Sequence, residues 1–137
     1  MGSDLVDALF ERARSAAFAD DAHRRGWEAV RTAALLRRDG RHDMALELLD
    51  DVVARFRYED VEIAAYTCAV AIHCDRGDPA TALAVGRPFW DRDATPELGN
   101  ALVRAYWERF EQTGLLDDRD DWLAFKDELD AVHENAS

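Results

Sequence analysis

The sequence is poor in cysteine, proline and lysine, and it has no long apolar segment. Its 137 residues include two cysteines, three prolines and a single lysine, Lys126. No run approaches the roughly 18 apolar residues that a membrane-spanning helix requires. The N-terminus lacks the basic region and the following apolar block of a signal peptide. We therefore expect a cytoplasmic protein that has no membrane partner.

The two cysteines, Cys68 and Cys74, lie six residues apart on one predicted helix. At a rise of about 1.5 Å per residue they are about 9 Å apart along the helix axis. A disulfide requires Cα atoms within about 7 Å, so these two cysteines cannot pair with each other. Unpaired cysteines are typical of a reducing compartment.

Basic residues are outnumbered by acidic ones. The chain has 17 Lys and Arg against 29 Asp and Glu, which gives a net charge of −12. An electrostatic field of that sign repels nucleic acid and anionic membranes. We expect no nucleic-acid partner. The negative charge either favours basic partners or simply keeps the protein soluble. The apolar content of 48% is sufficient for a packed core.

Apolar residues recur at three- and four-residue spacing, which predicts amphipathic helices. No stretch alternates with period two, so no β-sheet is expected. Seven helices are predicted, at about residues 4–20, 25–38, 42–57, 60–76, 79–90, 96–113 and 119–134. Connections of two to six residues favour antiparallel neighbours. Pro88 lies inside the fifth helix and is expected to kink it or to end it early.

Gly40, Gly77 and Gly114 are separated by equal intervals of 37 residues. Each glycine follows a helical stretch, where it tolerates the left-handed backbone that ends a helix. A fixed period of this size is typical of stacked helix–turn–helix units. Such units bury their cores against neighbouring units and leave one long face free for binding.

The spacing resembles that of tetratricopeptide repeats. That family has an alanine five residues after the turn glycine and a bulky apolar residue four positions beyond the alanine. Gly40, Ala45 and Leu49 match this pattern in the first unit. The second unit has the glycine and the alanine, but Gly86 stands in place of the bulky residue. The third unit has Arg119 in place of the alanine, which predicts a different helix packing or a longer final turn.

The resemblance implies an all-α fold, in which about seven antiparallel helices form a right-handed α-hairpin array. One domain is expected to comprise residues 1–137. The implied helix pairs cover residues 25–57, 60–91 and 96–134, and a helix within residues 1–21 caps the first pair. An α-hairpin array of another family is the structural alternative.

In this family the first helix of each pair lines a concave groove, so the resemblance also implies a partner-binding face. Its residues recur at helical spacing and are Trp27, Arg31, Arg38, Thr67, Arg104 and Glu108. Trp27 is expected to be exposed. Arginines on such a face can form forked hydrogen bonds to carboxylates of an acidic segment. The competing interpretation is a solvated face with local ion pairs. Ala34 stands where the carboxylate-binding members have an asparagine, so chaperone-tail binding is not expected.

Candidate catalytic and metal-binding groups are few. His73 and Cys74 are neighbours on a helix and point about 100° apart, so they do not form a dyad. The cysteines and histidines lack a recognised zinc-ligand spacing. The acidic run at residues 117–121 lacks the glycine and the distal glutamate of a calcium loop, and helix capping accounts for it better. We expect a non-enzymatic protein with no cofactor and no metal.

The leading hypothesis is a protein–protein interaction scaffold that binds a partner peptide or helix in the groove. Self-association through an exposed end helix is compatible with it. The alternative is a small-molecule-sensing or regulatory helical domain, with a pocket between the helices that carry Trp27, Tyr66 and Arg104. A nucleic-acid mimic ranks last, because it needs carboxylates on one face and most of these lie at caps or opposite core stripes.

Overall fold

A computed structural model describes residues 5–136 of the chain. These residues form seven α-helices and no β-strand. The helices are α1 (Leu5–Ala16), α2 (Asp21–Arg38), α3 (His42–Arg55), α4 (Glu59–Asp75), α5 (Pro79–Arg92), α6 (Pro96–Thr113) and α7 (Leu116–Ala136). The prediction of an all-α fold with seven helices is confirmed. Within the described residues, no helix is both long and apolar enough to cross a membrane.

The helices belong to two compact units, and the boundary between the units falls inside α4, between Ala69 and Val70. The first unit contains α1, α2, α3 and the larger part of α4. The second unit contains the end of α4 and α5, α6 and α7. A single domain and a tetratricopeptide-like array both stay predictions.

The first unit is built on α2, which packs against both α1 and α3. Val6 and Phe10 are buried on the inner face of α1, and Val30 is buried on α2. The small residues Ala33 and Ala45, on α2 and α3, are fully buried. Small side chains allow two helix backbones to approach closely, as the sequence pattern predicts for this helix pair.

The second unit is built on α6, which packs against both α5 and α7. Its centre is aromatic: the Phe125 ring lies 4.9 Å from the Trp90 ring and 4.9 Å from the Tyr106 ring, measured between centroids. Leu98 and Leu102 of α6 are fully buried. Aromatic side chains bury large areas, so few residues are needed to hold three helices together.

The turn after α2 has the hydrogen bonds of a Schellman motif. Gly40 has φ 76°. Its N–H donates to the carbonyl of Arg37 at 3.0 Å, and the N–H of Arg41 donates to the carbonyl of Leu36 at 2.9 Å. These bonds satisfy carbonyls that accept no hydrogen bond from an N–H within the helix, and glycine adopts the left-handed backbone without a steric cost.

The same turn recurs 37 residues later. Gly77 also has φ 76°, and the N–H groups of Gly77 and Asp78 donate hydrogen bonds of the same pattern. Gly114 has φ 68°, but its N–H donates to the carbonyl of Phe110, which makes the simpler left-handed cap. The third turn therefore differs from the first two. The sequence that follows Gly114 also departs from the pattern that follows Gly40 and Gly77.

Two helix boundaries near the N-terminus differ from the prediction. The helix α1 ends at Ala16 because Ala17 adopts φ 70°, although it is not a glycine. The helix α2 begins at Asp21, four residues earlier than predicted. The Asp20 carboxylate caps it by accepting a hydrogen bond from the N–H of His23 at 2.8 Å.

Pro88 does not end α5 early, because α5 continues to Arg92, and the other predicted outcome, a kink at Pro88, stays a prediction. Proline lacks an N–H and so removes one hydrogen bond of the helix. Phe89 and Trp90, which follow it, are only 3% and 4% exposed. Burial of these two large side chains holds the last turn in place.

The prediction for the start of α7 was three residues late, since the helix begins at Leu116.

Candidate functional site

The three α2 residues of the predicted binding face all contact α1. Trp27 is 1% exposed, and its ring lies 6.1 Å from the Phe10 ring. The Arg31 guanidinium lies 4.6 Å above the Phe10 ring, and Arg38 forms an ion pair with Asp7. The expectation of an exposed Trp27 is therefore wrong, because the apolar face of α1 covers this side of α2.

Thr67 is also buried, with 1% of its surface exposed. Its hydroxyl donates to the carbonyl of Ile63, one turn earlier in α4, at 2.7 Å. A buried hydroxyl needs such a partner, and a carbonyl of the same helix is within its reach. The prediction that Thr67 lies on a surface open to a partner is corrected accordingly.

Arg104 of α6 lies between two carboxylates of the second unit. Its Nη2 is 3.0 Å from Asp75, and its Nε donates to Glu108 at 2.7 Å. Burial works against the charged form, but the bonds to Glu108 and Asp75 outweigh it, so the pKa of Arg104 is raised. The local ion-pair interpretation holds for Arg38, Arg104 and Glu108. Contact of these exposed or half-buried residues with a partner stays a prediction.

A polar network ties α2 to the start of α4 within the first unit. Asp60 accepts hydrogen bonds from His23 Nε2 at 2.9 Å, from Trp27 Nε1 at 2.9 Å and from the N–H of Val61 at 2.9 Å. The N–H of Ala19 donates to Nδ1 of His23 at 3.0 Å. His23 therefore accepts at Nδ1 and donates at Nε2, a tautomer that its two partners select.

Tyr58 extends this network. Its hydroxyl donates to the Asp20 carboxylate at 2.9 Å, and its ring lies 4.7 Å from the His23 ring. The hydrogen bonds from the N–H of His23 and from Tyr58 lower the pKa of Asp20. The same bond to Asp20 raises the pKa of Tyr58.

Sequence reasoning missed this network, although a signal for it is present. His23 and Asp60 are 37 residues apart, which equals the interval between the turn glycines. His23 and Asp60 each precede the next turn glycine, Gly40 and Gly77 respectively, by 17 residues. A search for complementary polar residues one period apart would find the pair.

A pocket of about 550 Å³ opens in the first unit, between the start of α2 and the end of α3. It is lined by Ala22, Arg25, Arg55, Phe56, Arg57 and Tyr58. Half of these residues are arginines, in a chain of charge −12.

A pocket of about 450 Å³ lies in the second unit, and α5, α6 and α7 line it. Arg87 donates to the Tyr106 hydroxyl at 3.1 Å and to the two oxygens of Glu128 at 3.2 and 3.0 Å. Burial opposes its charge, but these bonds prevail and raise the pKa of Arg87. Arg109 pairs with Asp121 at 2.8 Å on the same wall. Because both arginines are already paired with carboxylates, the wall has no excess charge for a ligand.

These two pockets do not include Trp27, Tyr66 or Arg104, the residues on which the small-molecule alternative depends. Trp27 is buried against α1, and Arg104 is held by carboxylates. Among the described residues, no group of three or more His, Cys, Asp or Glu side chains could hold a metal ion.

Large apolar side chains are exposed at the junction of α6 and α7. We refer to Trp107, Leu115, Leu116, Trp122 and Leu123 as the α6–α7 apolar surface. Trp107 is 38% exposed, Leu115 58%, Leu116 65% and Leu123 44%. The Trp107 and Trp122 rings lie 4.7 Å apart, so the two helices share one aromatic ridge. Leu116 and Leu123 are seven residues apart and thus lie on one face of α7.

Acidic side chains surround this surface. The helix α7 carries eight carboxylates and two cationic side chains, Arg119 and Lys126. Lys126 lies 4.8 Å above the Trp122 ring. Asp127 and Asp130 are exposed and form no ion pair with any residue that the structure describes. An apolar ridge with an acidic rim is complementary to an apolar stripe with basic flanks.

Comparison of the chain with models of protein families, with curated proteins and with solved structures finds no match.

Proposed function

We propose that this protein is a non-enzymatic interaction module that binds a basic amphipathic helix of a partner protein. The observation that carries the proposal is the α6–α7 apolar surface, which combines two tryptophan rings in contact with three exposed leucines beside and on the acidic helix α7. Contiguous exposed apolar residues with a polar rim are typical of protein-binding sites. Tryptophan is enriched among the residues that dominate binding energy.

The proposal retains the interaction role that the sequence predicts and moves it to another surface. On α2, helix α1 occupies the predicted face, and Arg38 is neutralised by Asp7. On α6 and α7, Trp107, Leu116 and Leu123 project apolar groups that no described residue covers fully. The tetratricopeptide-like array is part of the proposal, and the identical turns at Gly40 and Gly77 support it.

A pair of synthetic peptides tests the proposal. The first is a helix of about 18 residues with leucine at i, i+3, i+4 and i+7 and lysine elsewhere, and the second has glutamate at every lysine position. We expect the lysine peptide to bind with a blue shift of tryptophan emission, because it covers Trp107 and Trp122. Binding should weaken with salt, since charge complementarity contributes to it.

The matched variants are Leu123→Glu on the surface and Ala131→Glu, about 12 Å further along the same helix, where Ala131 is also exposed. Both add one negative charge to α7. We expect Leu123→Glu to weaken lysine-peptide binding about tenfold or more, and Ala131→Glu to leave it nearly unchanged. Equal binding by the two variants, or equal binding of the two peptides, contradicts the proposal. A dimer in light scattering that Leu123→Glu converts to a monomer would identify a second copy of the chain as the occupant instead.

A further inference from the structure

We infer that the arginine pocket of the first unit binds a nucleotide-like ligand, with phosphate groups against the guanidinium groups and a planar base against the aromatic side chains. The inference goes beyond the proposed function and concerns the other unit. Its basis is the convergence of Arg25, Arg55 and Arg57 on one cavity of about 550 Å³. This volume falls within the roughly 300–1,000 Å³ range of small-molecule sites.

The charge of the pocket is positive in a protein that is otherwise strongly acidic. Arg25 lies 3.3 Å from Asp21, and Arg55 lies 3.0 Å from Asp51, both within one helical turn. Such exposed pairs contribute about 0–1 kcal/mol, so a multivalent anion can compete with them. Arg57 forms no ion pair with any residue in the described part of the chain. The residues that line the pocket therefore include three guanidiniums and no carboxylate.

Helix stabilisation does not account for all three arginines. Arg55 is in the last turn of α3, where a cation offsets the negative end of the helix dipole. Arg57 lies in the connection between α3 and α4 and has no such role. Among the residues that the structure describes, Arg25 forms an ion pair only with Asp21, a carboxylate that Arg24 also binds. Phosphate oxygens are suited to arginine because its planar fork donates two parallel hydrogen bonds.

The aromatic walls of the pocket are held in place by the fold. A Cβ atom at Gly26 would lie 3.1 Å from Cγ of Phe56, so the Phe56 ring packs against the backbone of α2. Tyr58 is fixed by its hydrogen bond to Asp20 and by its ring contact with His23. Two positioned rings beside three guanidiniums favour a ligand that has both an aromatic ring and several negative charges. A simple carboxylate would leave the rings and most of the positive charge unused.

Calorimetric titration with three probes tests the inference: adenosine triphosphate, inorganic triphosphate and adenosine. We expect adenosine triphosphate to bind at one saturable site, inorganic triphosphate to bind more weakly, and adenosine to bind weakest. The test variant is Arg55→Ala combined with Arg57→Ala, and the control is Arg41→Ala, an exposed arginine of the same unit outside the pocket. The double variant should raise the Kd for adenosine triphosphate at least about tenfold, because each guanidinium–phosphate contact is a charge-assisted hydrogen bond.

Arg57 has no ion-pair partner within residues 5–136, so its replacement alone should leave the fold intact, which circular dichroism can verify. Arg57→Ala therefore serves as a second variant and should weaken binding without changing the melting temperature. No saturable binding of adenosine triphosphate to the unmodified chain overturns the inference. Equal affinity of the double variant and Arg41→Ala also overturns it. Equal binding of inorganic triphosphate and adenosine triphosphate overturns the assignment of a base to the aromatic walls.

Discussion

Asp60 illustrates how a single side chain can connect distant parts of the sequence. It accepts hydrogen bonds from the ring nitrogens of His23 and Trp27 and also binds the N–H of Val61 at the start of α4. Trp27 is fully buried, so its N–H group requires an acceptor within the protein. The carboxylate thereby stabilises both the position of the indole and the attachment of α4 within the first unit.

We predict that Asp60→Asn destabilises the protein by about 1–3 kcal/mol, as expected when a buried donor loses its acceptor. The amide keeps one acceptor oxygen but presents an NH₂ group to the donors of His23 and Trp27. Urea unfolding, monitored by tryptophan fluorescence, measures the free energy of unfolding. The control is Glu59→Gln, which removes the same charge from the exposed neighbouring residue. A similar loss in both variants would show that charge, and not the hydrogen-bond network, is responsible.

At the scale of the helix, close approach is most evident at Gly86 of α5. A Cβ atom at this position would lie 2.5 Å from Cγ2 of Val70 and 2.7 Å from Cδ2 of Leu102. Tetratricopeptide repeats have a bulky apolar residue at the corresponding position, and the contacts of Gly86 leave no room for one in this chain. Both Val70 and Leu102 are fully buried, so neither side chain can move without disturbing the core.

We predict that Gly86→Ala destabilises the second unit by about 1–3 kcal/mol through overpacking, although alanine has the higher helix propensity. Val70→Ala removes the methyl group that the new Cβ meets. In that background, Gly86→Ala should destabilise less than in the unmodified chain, because only the contact of the new Cβ with Leu102 then remains. A double-mutant cycle by urea unfolding measures the coupling. If the effects of Gly86→Ala and Val70→Ala on the free energy of unfolding simply add, the two positions are not in close contact.

At the scale of the whole molecule, the net charge of −12 is the dominant electrostatic feature. Ion pairs such as Arg87–Glu128 and Arg109–Asp121 neutralise some carboxylates, while Asp127 and Asp130 have no ion-pair partner among the described residues. Exposed ion pairs contribute only about 0–1 kcal/mol each. Self-repulsion of the excess carboxylates should therefore outweigh the loss of these pairs when salt screens all charges.

We predict that the melting temperature rises between about 0.01 M and 1 M sodium chloride, as the Debye length falls from about 30 Å to about 3 Å. The combined variant Asp127→Asn and Asp130→Asn should melt at a higher temperature in low salt and should gain less from added salt. Differential scanning calorimetry compares the two proteins. A melting temperature that falls with salt would show that the ion pairs matter more than the repulsion.

Local regularities account for what could be predicted from the sequence. Helical periodicity and the three turn glycines depend on neighbours within a few residues, so seven helices and their turns were predictable. The end of α1 and the start of α2 were less predictable from the sequence. They depend on the left-handed backbone of Ala17 and on the hydrogen bond that the Asp20 side chain accepts. Continuation of α5 past Pro88 depends on the burial of Phe89 and Trp90, which a local rule for proline does not include.

The candidate sites were hardly predictable, because each combines residues from separate helices. Arg25 is 30 or more residues from Arg55 and Arg57, and no sequence pattern connects them to one pocket. The resemblance to tetratricopeptide repeats implied the binding face of α2, and helical spacing identifies residues on one side of a helix but not the element that covers them. The contact between Phe10 and Trp27 shows that α1 is the element that covers this face of α2.

The order of amino acids by itself determined the all-α architecture, the glycine turns and the acidic character, because these depend on backbone propensities and on composition. Tertiary structure alone decided that α1 covers α2, that Asp60 accepts hydrogen bonds from both His23 and Trp27, and that three arginines line one cavity. Burial and convergence arise only when helices distant in sequence pack together, and no local property of the chain encodes which faces will meet.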